Sequence, residues 1–334
     1  MLPAEQTAVT APARDQHAAQ LSGRQRGIEF VRRYAVLLMI VILFVTLTLA
    51  TDSFLTTTNL QNILNQNAPL AIIAIAGTFV IIGGGFDLST GAIVAVANVI
   101  AAWVAVHASS SELGLISAPV VGLLLGILNG LLITQLRIHS FLATLASSLA
   151  YRGLAVLITG GFLIAVTDPG FSTLGQGKVG GIFYAVIVLV VFAVLGGFLL
   201  NYTAFGRYVF AVGGNEEAAQ LSGVRVNWVK IGTFAFSGFA AGVAAAILVS
   251  RISSGQAQAG AGMELQAIAA VILGGTSIYG GVGAVWRSLA GVFLLALINN
   301  GFNILNANPF YRDLTTGVII LSAVALSAAE ARRR

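Results

Sequence analysis

Apolar residues in this chain come in long unbroken runs. From Tyr34 onward ten such segments lie near 34–50, 66–82, 88–106, 115–135, 141–160, 180–200, 229–250, 265–280, 284–305 and 314–328. Several approach the roughly 20 residues that a helix needs to cross a hydrocarbon core of about 30 Å. The alternation of apolar and polar positions that marks barrel strands is missing from them. The pattern predicts an all-α, polytopic integral membrane protein with about ten transmembrane helices, give or take one. The second, eighth and tenth segments are short or interrupted by glycine, which makes each a candidate broken or re-entrant helix. Residues 1–30 are polar and include Pro3, Pro12, Arg14, Arg24 and Arg26. They read as a disordered cytoplasmic tail ahead of a transmembrane domain over 31–330. No small-residue cleavage site cleanly follows the first run, which argues against a signal peptide.

Composition strengthens this reading. The chain is 57% hydrophobic and only 9% charged, with a mean hydropathy of +0.92, whereas soluble domains carry roughly 25% charged residues. Lipid can serve as solvent for such a surface and water cannot. The 39 glycines suit close helix packing in a membrane. With no cysteine, disulfides, thiolate metal sites and cysteine nucleophiles are excluded.

The net charge of +5 raises the question of nucleic acid, and its distribution answers it. With the N-terminus inside and ten crossings, Arg14, Arg24, Arg26, Arg32 and Arg33 fall on the cytoplasmic side. Arg137, Arg207, Arg225, Lys230, Arg287 and the terminal Arg332 to Arg334 join them. Only Lys178, Arg251 and Arg312 fall outside, and Arg152 lies within a span. That asymmetry is the positive-inside pattern. It predicts a multi-pass membrane protein with both termini cytoplasmic, and it removes the case for nucleic acid.

Two connections stand out by length. The one over 160–180 is external and glycine-rich, with Asp168-Pro169-Gly170 as a turn signal. The one over 201–228 is internal and polar, and long loops on a tight bundle usually contact something. There is also a weak internal echo. Gly83 to Gly91 follows one apolar run and Gly274 to Gly281 another, and Asn129-Gly130 and Asn300-Gly301 come later. Duplicated halves are common in transporters, but glycine-rich sequence also resembles itself by chance.

Four places carry candidate chemistry. In Gly83-Gly84-Gly85-Phe86-Asp87-Leu88-Ser89-Thr90-Gly91, the glycines break the helix, each costing about 1 kcal/mol against alanine. Asp87 then sits at or near membrane depth, where a carboxylate costs roughly 2.5–3.5 kcal/mol. It is either held at a helix N-terminus by free N–H groups or part of a polar translocation path; Ser89 and Thr90 are candidate caps. Arg152 must snorkel, pair or face water, so it is either half of an ion pair or a pathway residue. Glu264, at the outer start of the eighth segment, is either a solvated loop acid or a contact for a basic residue of a docking protein. The fourth place is Gly213 to Gly223, with Gly214, Asn215, Glu216, Glu217, Ala218, Ala219, Leu221 and Gly223. Asn215 as N-cap, two acids in the first turn and Gly223 as breaker predict a short helix. Its alanines give a smooth face for a groove and Leu221 an apolar anchor. An ordinary amphipathic surface helix would read the same way.

Other chemistries are missing. Gly170 to Gly175 is followed by Gln176 and is not a phosphate-binding loop. His17, His107 and His139 have no metal-ligand spacing, and no catalytic triad is suggested. The chain shows no means of hydrolysing ATP and calls for no cofactor.

At these residues the sequence resembles the membrane subunits of bacterial ribose-, xylose- and galactose-type ABC importers. The matching pieces begin with Gly84-Gly85-Phe86-Asp87-Leu88-Ser89, Leu128-Asn129-Gly130-Leu131-Leu132 and Phe141-Leu142-Ala143-Thr144-Leu145 with Arg152-Gly153. The loop Gly213 to Gly223 follows, then Ala267 to Ser277 and Asn299-Asn300-Gly301. They run in consistent order from about 58 to 328 and are specific together. The resemblance implies a permease that pairs with a second permease copy, two cytoplasmic ATPase subunits and a periplasmic sugar-binding protein. It makes the 201–228 loop the coupling loop that docks on the ATPase. A monosaccharide, a pentose or hexose, needs hydroxyl partners, for which Ser89, Asn129, Thr144, Asn299 and Asn300 are candidates beside Asp87 and Arg152. Two departures stand out: family members commonly carry a proline near His139-Ser140, and Trp286-Arg287 interrupts the small residues that usually follow Gly281. Rival readings are an ion-coupled secondary transporter using Asp87, a permease for a non-sugar solute such as a branched-chain amino acid, and a polytopic membrane enzyme.

Overall fold

The computed structural model describes residues 23–308 and scattered positions between 310 and 321, with side chains from residue 35. Twelve helices follow in order: α1 (Gly23–Ala50), α2 (Thr57–Ile82), α3 (Thr90–His107), α4 (Ser111–Gln135), α5 (Ser140–Thr159), α6 (Thr173–Gln176), α7 (Tyr184–Tyr202), α8 (Ala204–Gly214), α9 (Glu216–Leu221), α10 (Val226–Ile252), α11 (Met263–Leu273) and α12 (Val285–Ile304). Among the described residues sheet is confined to two-residue pairs. β1 (Ile164–Ala165) pairs antiparallel with β4 (Ser254–Gly255), and β2 (Lys178–Val179) with β3 (Ile182–Phe183).

Among the described residues seven helices are long and apolar enough to cross a membrane, namely α2, α3, α4, α5, α7, α10 and α12; the apolar part of α1 (Ala35–Ala50) and α11 are shorter. The protein is therefore multi-pass and all-α, while the tenth expected segment falls mostly outside the described residues. So does the tail up to residue 22; α1 begins at Gly23, inside the stretch expected to be disordered.

The second segment is corrected most. It is not broken: α2 starts nine residues earlier than its apolar run and continues for 26 residues, with Pro69 inside. Thr56 caps it by accepting from the Asn59 N–H at 3.3 Å. Its polar first turns are held by tertiary partners. Asn59 and Asn300 of α12 exchange side-chain hydrogen bonds of 2.8 and 3.3 Å, and Arg251 of α10 donates to the Asn65 carbonyl at 2.6 Å. The polar connection over 201–228 is corrected too, because it contains the eleven-residue α8. Thr203 caps α8 through the Gly206 N–H, and its apolar side, with Val209 and Val212 buried, lies on α2, α7 and α10.

Helices α2, α3 and α10 form the buried centre. α10 and α4 run antiparallel at backbone contact. A Cβ on Gly122 would strike the Gly238 carbonyl, one on Gly126 the Phe234 carbonyl, and one on Gly130 the Cα of Ile231 at 2.7 Å. Glycines four residues apart on both helices permit this approach, the means by which helices associate where lipid removes the hydrophobic drive.

The expected break at the eighth segment is present and deep. After β4 the chain does not start a helix at the bundle end. It runs along α3: Gly255 abuts Ala102 and Gly260 abuts Val94 and Gly91. Helix α11 then begins against the first turn of α3, about 24 Å along that helix from His107 at 1.5 Å per residue, and runs toward the end that carries α8 and α9.

Candidate functional site

Both α3 and α11 thus begin inside the bundle. The route into α3 is the segment 85–89, which leaves the C-terminus of α2 and whose Phe86 and Leu88 N–H groups lack helical hydrogen bonds. Side chains of α5 supply them. The Phe86 N–H donates to Ser140 Oγ at 3.1 Å and the Leu88 N–H to Thr144 Oγ1 at 3.1 Å.

Asp87 lies within this segment and is 5% exposed. Its Oδ1 accepts from the Ser89 N–H at 2.9 Å and from the Ser89 hydroxyl; its Oδ2 accepts from the Ser237 hydroxyl of α10 at 2.7 Å. The Asn129 amide of α4 donates to Ser89 Oγ at 2.7 Å, and the Tyr151 hydroxyl of α5 donates to Asn129 Oδ1 at 3.0 Å. Every donor in the chain Tyr151, Asn129, Ser89 is turned toward the carboxylate, so the dipoles reinforce one another in a water-poor interior. Three protein donors on one carboxylate offset much of the cost of burying it. Ser89 stands at the N-cap position of α3 but does not cap it: its backbone is helical instead of extended, and its hydroxyl oxygen accepts from Asn129.

Of the expected pathway residues, the structure brings Asp87, Ser89, Asn129 and Thr144 into one network. Ser89, Asn129 and Thr144 are fully buried, so none of them faces an open passage in this conformation. The others lie apart. Arg152 pairs with no acid; its Nη1 donates to the carbonyls of Ala257 and Ala259, both at 3.0 Å, and so holds the irregular segment beside α3. Asn300 is occupied by Asn59, and Asn299 is half-buried on the same helix end. Ser237, Ser140 and Tyr151 complete the network and were not expected. Hydroxyls within apolar helical runs carry no sequence signal until their partner is known.

Glu264 also differs from its expected place at an outer mouth. It stands in the first turn of α11, and its Oε2 is buried without a hydrogen-bond partner against Gly91, where a Cβ would overlap it. The acid is folded inward between the starts of two helices.

The helix expected over Gly213 to Gly223 is present as α9. Asn215 Oδ1 accepts from the Ala218 N–H at 2.9 Å, Glu216 and Glu217 occupy the first turn, and Gly223 takes φ +84° just past the end. Glu216 forms the one salt bridge among the described residues, with Lys230 at 2.7 Å. Ala218 and Leu221 are exposed, Leu221 by 83%. Beside α9 opens a groove of about 590 Å³ lined by Ile127, Leu131, Gln220, Arg225, Trp228 and Ile231, among others.

The two glycine-rich turns of the sequence echo meet at the base of α9, since the Gly281 N–H donates to the Ile82 carbonyl at 2.8 Å. The echo stops there. Asn129 lies two helices beyond its turn, in α4, and Asn300 one helix beyond, in α12. The bulky pair after the second turn is self-contained, Arg287 lying over the Trp286 ring at 5.4 Å.

No solved structure matches the chain. It is 40% identical over 312 residues to the ribose import permease protein RbsC of Bacillus subtilis (strain 168), covering 92% of this chain and 97% of that one. It is 36% identical to the L-arabinose ABC transporter permease protein AraH of Azospirillum brasilense, over 94% and 93% of the two chains. To the ribose import permease of Escherichia coli (strain K12) it is 35% identical, over 86% and 91%. Residues 59–324 match the family described as "Branched-chain amino acid transport system / permease component", and the chain belongs to that family as a multi-pass permease subunit.

Proposed function

We propose that this chain is the membrane-spanning permease of an ATP-driven, binding-protein-dependent importer of a monosaccharide. It works with a second permease copy, cytoplasmic ATPase subunits and a periplasmic binding protein, in a bacterial inner membrane with both termini and α9 on the cytoplasmic side. The observation that carries this reading is the full-length similarity to ribose and arabinose permeases. The geometry supports it. The helix α9 is short, capped and exposed, and its base touches the turn that leads into α3 and the turn that follows α11. ATP binding closes the ATPase pair and carries α9 with it, and the helix starts then change which side of the membrane they open to.

The solute is a neutral sugar on this reading. An amino acid would need fixed charges for its ammonium and carboxylate groups. Both oxygens of Asp87 already accept hydrogen bonds within the protein, and Nη1 of Arg152 donates to two carbonyls, so both charges have structural partners. The full-length similarity to ribose and arabinose permeases argues against an ion-coupled transporter.

The test is uptake of labelled ribose and arabinose by vesicles holding the permease, its ATPase and its binding protein. Uptake should need ATP and survive a protonophore. Replacing Glu217 or Gly223 should leave expression intact and uncouple uptake from hydrolysis. Uptake that ignores ATP and collapses with the proton gradient would identify a secondary transporter instead.

A further inference from the structure

We infer that Gly213 is a positioning residue for transport: it locks α9 to both internal helix starts, so that one displacement moves them together. This rests on the coupling role proposed for α9 and says how that role reaches the membrane interior.

Three chain segments meet at Gly213 backbone against backbone. A Cβ there would overlap the Ile82 carbonyl at the end of α2 and come within 2.8 Å of the Gly281 nitrogen. Gly281 donates to that same Ile82 carbonyl, and Gly280 lies against the Gly213 oxygen. Gly280 and Gly281 have φ of +84° and +71°, which let the turn present its backbone without side chains between. Backbone contacts of this kind have no rotamers to absorb a shift, so a displacement passes through them undiminished.

From this junction two routes lead inward. One passes through Gly85 and the segment pinned by Ser140 and Thr144 to the start of α3. The other runs up α11 to Glu264. The routes meet again where Glu264 lies on Gly91. The contacts form a closed circuit, and α9 follows it one residue later, since α8 ends at Gly214 and α9 begins at Glu216, whose salt bridge to Lys230 also ties it to α10. Gly197 of α7, away from the coupling loop, supplies the comparison, because a Cβ there meets nothing within 4 Å.

The experiment uses the assembled importer in vesicles and reads sugar moved per ATP hydrolysed. Gly213→Ala should keep ATP hydrolysis while lowering that ratio at least tenfold, and Gly197→Ala should match the parent. A parental ratio for Gly213→Ala, or an equal loss for Gly197→Ala, overturns the inference. Should Gly213→Ala fail to assemble, hydrogen exchange on the unmodified complex decides. A non-hydrolysable ATP analogue should change amide protection at 82–85, 213–221 and 278–283 together. A change confined to 213–221 overturns the inference. ATP-dependent uptake by the parent is measured in the same vesicles, so failure of the coupling reading is told apart from failure of this one.

Discussion

Ser237 on α10 donates a 2.7 Å hydrogen bond to Asp87, a residue 150 positions earlier, and this bond ties the entry of α3 to the helix that also packs on α4. Removing one partner of a buried hydrogen bond leaves the other unsatisfied at a cost of about 1–3 kcal/mol, more where a charge is involved. Ser237→Ala should therefore destabilise the purified protein by at least that amount. A double-mutant cycle with Asp87→Ala should return a coupling energy of about 1.5–3 kcal/mol, the range for hydrogen bonds to charged groups. Chemical unfolding in detergent measures it. Additive losses would show that the two residues do not support each other.

What could be read from the sequence follows from how local each signal is. Helix α9 was fully legible because its N-cap, acidic first turn and glycine stop lie within nine residues and need no tertiary context. The early end of α2 was not. Asn59, Asn65 and Asn67 break the apolar pattern, and what makes that stretch helical is remote: Asn300 and Arg251 satisfy polar groups that a propensity reading assigns to a loop. Asp87 was legible as a buried acid, since glycines and a charge in an apolar stretch are conspicuous. Its partners were not, because one more serine in α10 looks like any other. Glu264 was misplaced for a related reason. A charge after small residues resembles a surface loop, and only packing shows that 253–262 descends along α3 instead of leaving the bundle.

At the bundle end opposite α9, Asp168 gives a pH-dependent clasp. The Ser111 hydroxyl donates to its carboxylate, and so does the Gly170 N–H at 3.0 Å; together they hold the Asp168 carboxyl below the ordinary carboxylate range, the serine contributing most. A depressed folded-state value means that the clasp stabilises the fold at pH above the unfolded-state value of about 4. The contribution is lost as pH falls through the lower folded-state value. Ser111→Ala should move the protonation of Asp168 back toward about 4, so that exchange of the Gly170 amide accelerates at a higher pH than in the parent. Identical pH profiles for the two proteins would show that Ser111 does not set the Asp168 equilibrium.

The glycines of the α4–α10 seam and those facing lipid should respond to the same substitution with opposite signs. Within a helix, Gly→Ala gains about 1 kcal/mol from backbone entropy when the new methyl has room. Gly197 of α7 has nothing within 4 Å of such a methyl, so Gly197→Ala should stabilise the protein by up to that amount. At Gly126 the methyl would enter the Phe234 carbonyl and come within 2.9 Å of the Gly238 Cα. Two backbones would have to separate, and overpacking of this kind costs about 1–3 kcal/mol, which more than cancels the entropic gain. Separation there would also draw α10 away from α4 and stretch the links that Ser237 and Asn129 make to the 85–89 segment, because those residues lie within three positions of the seam glycines. Gly126→Ala should therefore lower the unfolding midpoint and, in the assembled importer, lower uptake as well. Gly197→Ala should raise the midpoint and leave uptake alone. Equal effects of the two changes on stability would mean that the seam is not held at backbone contact.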